Sequence, residues 1–100
     1  RIAQRTAAHG VVFSPHNPSG PVCTWHSWQV ALAAPECAML ELQFDESPMY
    51  DSLTQGVDLQ PHRGALGVPQ PDQQLGLNLD LLRAHPYQAV PPGIETLLNR

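Results

Sequence analysis

His16 is the side chain whose type and setting suit proton transfer, and Glu41 is the strand carboxylate that could face it. His16 stands in Ser14-Pro15-His16-Asn17-Pro18-Ser19-Gly20-Pro21, a stretch better suited to chemistry than to filling a core. An unperturbed imidazole titrates at about pH 6.5, so modest shifts let it give or take a proton near neutrality. The bland alternative is a histidine that hydrogen-bonds a loop carbonyl. Glu41 lies between Leu40 and Leu42. A buried carboxylate is costly unless it is paired, so on these grounds Glu41 reads as the partner of an Arg or Lys outside this segment. The other titratable residues offer less. His9, His26, His62 and His85 have neither zinc-finger nor metalloprotease spacing. Asp45 and Glu46 read as a solvated loop pair. Ser14 and Ser19 flank His16 without a nucleophile-elbow pattern.

Two strand-and-helix units must position these groups. Ile2 to Ala8 holds good helix formers, and Gly10 suits a left-handed helix end. Val11-Val12-Phe13 is a short apolar run that predicts a buried strand. Alternation puts Val12, Ser14 and His16 on one face and Val11 and Phe13 on the other. Pro21 fits the first position of a helix reaching Ala34, with Ser19 or Gly20 as its cap. Val22, Trp25, Trp28 and Leu32 form its expected apolar stripe, so the tryptophans read as packing residues. Ala38 to Phe44 predicts a second strand, with Leu40, Leu42 and Phe44 on one face and Met39, Glu41 and Gln43 on the other. The helical crossover suits a right-handed connection between parallel strands. Adjacent strands lie about 4.8 Å apart, so His16 and Glu41 can face one cavity at the strands' carboxyl ends, where α/β proteins build active sites.

After Asp45-Glu46-Ser47-Pro48 the pattern loosens. Met49 to Leu53 predicts a helical turn, Ala65 to Val68 and Leu75 to Leu79 short strands, and Asp80 to Ala84 a last helical turn. Six of the eleven prolines follow Gln60, so this half needs a surface to lie against.

Composition narrows the function further. The net charge of −4, with five arginines and no lysine, argues against a nucleic-acid or anionic-membrane partner. No apolar run approaches a membrane span and no signal-peptide pattern is present, so a cytoplasmic location is expected. Cys23 and Cys37 lack paired-motif spacing and read as reduced core thiols of a cytoplasmic protein. The chain has 100 residues, whereas a complete eight-stranded α/β barrel needs about 250. It also opens on Arg1-Ile2-Ala3 with no helix cap, as a segment of something longer would.

The motif from Ser14 to Pro21, with the following helix and Met39-Leu40-Glu41, resembles the last two strand units of galactonate dehydratase-like members of the enolase superfamily, within its mandelate racemase subgroup. The resemblance implies an α/β fold: the last strand-helix units of a (β/α)8-type barrel over residues 1–50, and an irregular extension over 51–100 that returns toward a capping domain. It implies a lyase that dehydrates acid sugars. His16 would be the general acid that protonates the departing 3-hydroxyl, and Glu41 would hydrogen-bond the substrate carboxylate. Mg²⁺ would be the cofactor, with its ligands, the proton-abstracting residue and the Asp that orients His16 all outside this segment. The implied partners are an acid-sugar substrate, the rest of the barrel and capping domain, and further copies in a homo-oligomer. A racemase or epimerase on the same scaffold, or a non-catalytic fragment of it, are the alternatives.

Overall fold

The computed structural model describes residues 1–43 and 47–87. The strand position Phe44, the acidic pair Asp45 and Glu46, and the end of the chain from residue 88 lie outside the described residues.

Helix α1 spans Ile2–Ala8. It ends as its glycine predicts: Gly10 has φ 61°, its N–H donates to Ala7 O over 3.1 Å, and the Val11 N–H reaches back to Thr6 O over 2.9 Å. This pair of bonds satisfies carbonyls that the last helical turn would otherwise leave open. Helix α2 spans Pro21–Ala33. Of the two expected caps Gly20 takes the position, at φ 86°, where a side chain would be strained.

The face that α2 buries differs from the expected stripe. Pro21, Thr24 and Trp28 are buried, whereas Val22 and Leu32 are exposed. At about 100° per residue, Val22 lies roughly 120° around the helix from Trp28. The buried strip instead follows Thr24, whose hydroxyl has three hydrogen-bonding neighbours. Trp25 packs edge-on against Trp28, with ring centroids 5.6 Å apart and planes at 75°.

The two segments flanking α2 run parallel, as expected, but among the described residues they pair only once, at Phe13 and Cys37. Phe13 N–H donates to Glu36 O over 3.1 Å, and Ala38 N–H donates to Phe13 O over 3.0 Å. A parallel ladder would next use the N–H of residue 15, and Pro15 has none. Side chains continue the seam instead. Ser14 Oγ donates to Met39 O over 2.8 Å, and Asn17 Nδ2 donates to Glu41 O over 2.9 Å. The strand expected from Ala38 is therefore an extended segment held through side chains.

The second half begins with a 3-10 turn at Tyr50–Ser52, inside the expected Met49 to Leu53 turn. Strand β1 (Thr54–Gln55) pairs antiparallel with β2 (Gly76–Leu77), Thr54 opposite Leu77 and Gln55 opposite Gly76. Gly56 permits this approach: at φ 81°, any Cβ there would lie 2.5 Å from Gln74 O. The strand expected over Leu75 to Leu79 stops at Leu77 because Asn78 caps helix α3 (Leu79–Ala84), its Oδ1 accepting the Leu81 N–H over 3.1 Å. In place of a strand from Ala65 to Val68 there is one antiparallel bridge, His62 to Ala65. Positive φ angles at Arg63 (54°) and Gly64 (79°) turn the chain back on itself there.

The described residues thus form a mixed helix and strand assembly with one two-stranded sheet. Its apolar core is small: Trp28, Ala34 and Leu59 are its buried hydrophobic members among the described residues. The radius of gyration is 16.8 Å, against about 13 Å for a compact domain of this length. Val12 and Met39, on the paired segments, stay 63% and 69% exposed.

Candidate active site

The seam brings the two sequence-predicted site residues together. His16 Nδ1 lies 2.8 Å from Glu41 Oε2. The rungs at Phe13, Ser14 and Asn17 fix the register, and the contact follows from it. The His16 side chain is 78% exposed and that of Glu41 46%. An ionised carboxylate can only accept, so the bond to Glu41 takes a proton on Nδ1. Nε2 makes no hydrogen bond among the described residues and is left for a ligand. At such exposure the pair itself adds little to stability, about 1 kcal/mol or less. Its effect is to orient the imidazole.

His16 also lines a cleft of about 660 Å³ bounded by Ile2 and Ala3 of α1, Phe13, and His26 and Val30 of α2. His26, which the sequence offered no reason to single out, stands on the same cleft as His16. Glu41 is not among the residues lining it.

Beneath the pair lies a buried polar network that sequence reasoning missed. Asn17 and Thr24 are both fully buried. Asn17 Nδ2 spends its two hydrogens on Glu41 O at 2.9 Å and Thr24 Oγ1 at 3.0 Å. Thr24 Oγ1 donates to Gly20 O over 3.1 Å and lies 2.8 Å from the Tyr50 hydroxyl. Thr24 has one hydroxyl hydrogen, so with Gly20 O taking it, Tyr50 is the donor of the second bond. Asn17 Oδ1 has no partner among the described residues. The signal for this network was available in outline: an Asn directly after the candidate histidine, seven residues before a Thr in the first turn of the next helix.

The remaining titratable groups serve elsewhere. Asp58 is held below the usual carboxylate range, first by the Gln60 backbone N–H and then by the His62 side chain, 3.2 Å from Oδ2. Ser14 is spent on Met39 O. Cys23 and Cys37 are free thiols and half-buried rather than core residues, Cys37 donating weakly to Met39 O. Among the described residues no group of three or more His, Cys, Asp or Glu side chains is placed to hold a metal ion. The described residues therefore do not fit Mg²⁺. Among the same residues no helix is long and apolar enough to cross a membrane. No family model, curated protein or solved structure matches the chain.

Proposed function

We propose that this chain is the carboxyl-terminal part of an acid-sugar dehydratase of the enolase superfamily, with His16 as the general acid. The observation that carries this reading is the 2.8 Å contact between His16 Nδ1 and Glu41 Oε2 at the carboxyl ends of two parallel segments. Glu41 holds one edge of the imidazole and directs the other nitrogen outward, which is the arrangement a proton donor to a leaving group requires. After a base outside this segment removes the proton beside the substrate carboxylate, His16 Nε2–H protonates the 3-hydroxyl. The C–O bond breaks, water departs, and the resulting enol becomes a 2-keto-3-deoxy acid. Glu41 also has a second oxygen, Oε1, that can meet the substrate carboxylate when the acid is protonated.

The exposed Val12 and Met39 and the small core support a role for the rest of a barrel as the surface covering these segments. Mg²⁺, a capping domain and homo-oligomer partners belong to the same proposal, all outside these residues. The test is incubation of the natural polypeptide that contains this sequence with Mg²⁺ and a panel of acid sugars including galactonate. A 2-keto-3-deoxy product supports the reading. A product that is only a stereoisomer assigns a racemase or epimerase, and no reaction across the panel removes the dehydratase reading.

A further inference from the structure

We infer that Asn17 is the positioning residue of the His16–Glu41 pair, acting through its buried side-chain amide; this deepens the site reading above and rests on its choice of residues. Asn17 follows His16 directly in the chain, and its Nδ2 donates to the backbone carbonyl of Glu41 itself over 2.9 Å. One side chain therefore ties the backbones of both members of the pair. The other Nδ2 hydrogen goes to Thr24 Oγ1 over 3.0 Å, which anchors the amide to the first turn of α2. Tyr50 donates to the same Thr24 Oγ1 over 2.8 Å.

The need for such a tie follows from the backbone. Pro15 ends the parallel ladder two residues after its one bridge, so no regular rung fixes His16 against Glu41. The pair is exposed and adds too little stability to fix the two backbones that carry it. Asn17 and Thr24 are both at 0% exposure, and in that setting an unmade hydrogen bond is costly. The buried amide thus imposes its geometry on the exposed pair. A serine or alanine at position 17 would fill less space and reach neither partner in the same way. An aspartate would have the right shape but would set a carboxylate against Glu41 O.

The consequence is read without any substrate. When the carboxylate is ionised and the ring neutral, the contact selects the tautomer carrying its proton on Nδ1, whereas an unpartnered imidazole prefers the Nε2–H form. The experiment measures the ¹⁵N shifts of His16 in the natural polypeptide, in Asn17→Asp, and in Glu41→Ala as the reference for a broken contact, with circular dichroism confirming the fold of each. The expected result is an Nδ1–H tautomer in the natural protein and shifts in folded Asn17→Asp that move to those of Glu41→Ala. Folded Asn17→Asp with natural shifts would overturn the inference. So would an Nε2–H tautomer in the natural protein. Should Asn17→Asp fail to fold, Thr24→Val removes the anchor of the same amide with little change of volume, and its His16 shifts are expected to move part of the way; unchanged shifts there overturn the inference equally. Because tautomer and turnover are separate readouts, a chain that dehydrates no acid sugar yet shows these shifts would lose the proposed function and keep the role of Asn17. Dehydration with shifts insensitive to Asn17 would do the reverse.

Discussion

His16 and Glu41, 25 residues apart in sequence, meet at 2.8 Å because Asn17, the neighbour of one, donates a hydrogen bond to the backbone carbonyl of the other. The chemistry-bearing pair is exposed while the residue that aligns it is fully buried. This division lets the imidazole reach a ligand and leaves its orientation to the interior.

Under the proposed function, removing the His16 imidazole should cost turnover more than binding. A positioned acid contributes typically 10²- to 10⁴-fold. His16→Asn in the natural polypeptide is expected to lower kcat by about that range with KM changed severalfold at most. Steady-state kinetics on whichever acid sugar is turned over provides the check.

Trp28 is the largest member of the small apolar core, 5% exposed and packed edge-on against Trp25. Trp28→Ala should destabilise by about 3 kcal/mol or more, since truncating a buried aromatic leaves a cavity. Tyr50→Phe removes only the hydroxyl bonded to buried Thr24 and should cost about 1 kcal/mol. Urea titrations of both variants against the parent give the two values, and their order is the informative outcome.

Gly56 is the glycine whose replacement should be felt most. Alanine there would be strained at φ 81° and would bring Cβ to 2.5 Å from Gln74 O, forcing β1 and β2 apart. Gly56→Ala should therefore destabilise by more than about 1 kcal/mol. Gly67→Ala meets nothing within 4 Å and has no positive φ, so it should leave the denaturation midpoint nearly unchanged.

Asp58 predicts one pH dependence. Its carboxyl is held below the ordinary value in the folded chain by the Gln60 N–H first and His62 second. A depressed folded value means that the ionised form is favoured by folding. The resulting stability is fully present above the unfolded value of about 3.9 and is lost as pH falls through the lower folded value. Asp58→Asn should remove this part of the acid-side loss, giving a flatter stability profile below about pH 4 in thermal melts.

Much of the local structure was legible in the residues. Ile2 to Ala8, the left-handed Gly10, Pro21 at the start of α2 and the turn near Tyr50 follow from propensity and capping, which act within a few positions. The convergence of His16 and Glu41 was also readable, from the spacing of two extended segments around one helix. The buried face of α2 was not, because Thr24 is held inside by partners at positions 17, 20 and 50. A hydrophobic pattern gives no weight to a threonine whose burial depends on hydrogen bonds across the fold. The shortness of the parallel pairing lay in Pro15, whose missing N–H matters only once the register is known.

Delivery of a proton to the leaving group by His16, as proposed, can be separated from its other effects by changing the leaving group. The natural polypeptide and its His16→Asn variant would each be given an acid sugar and its 3-deoxy-3-fluoro analogue, with release of the 2-keto-3-deoxy product measured. Fluoride departs as an anion without needing a proton, whereas hydroxide does not. His16→Asn is expected to lose dehydration by about 10²- to 10⁴-fold, yet to keep fluoride elimination close to that of the natural protein. Equal loss on both substrates, or no loss on the hydroxyl compound, would contradict it.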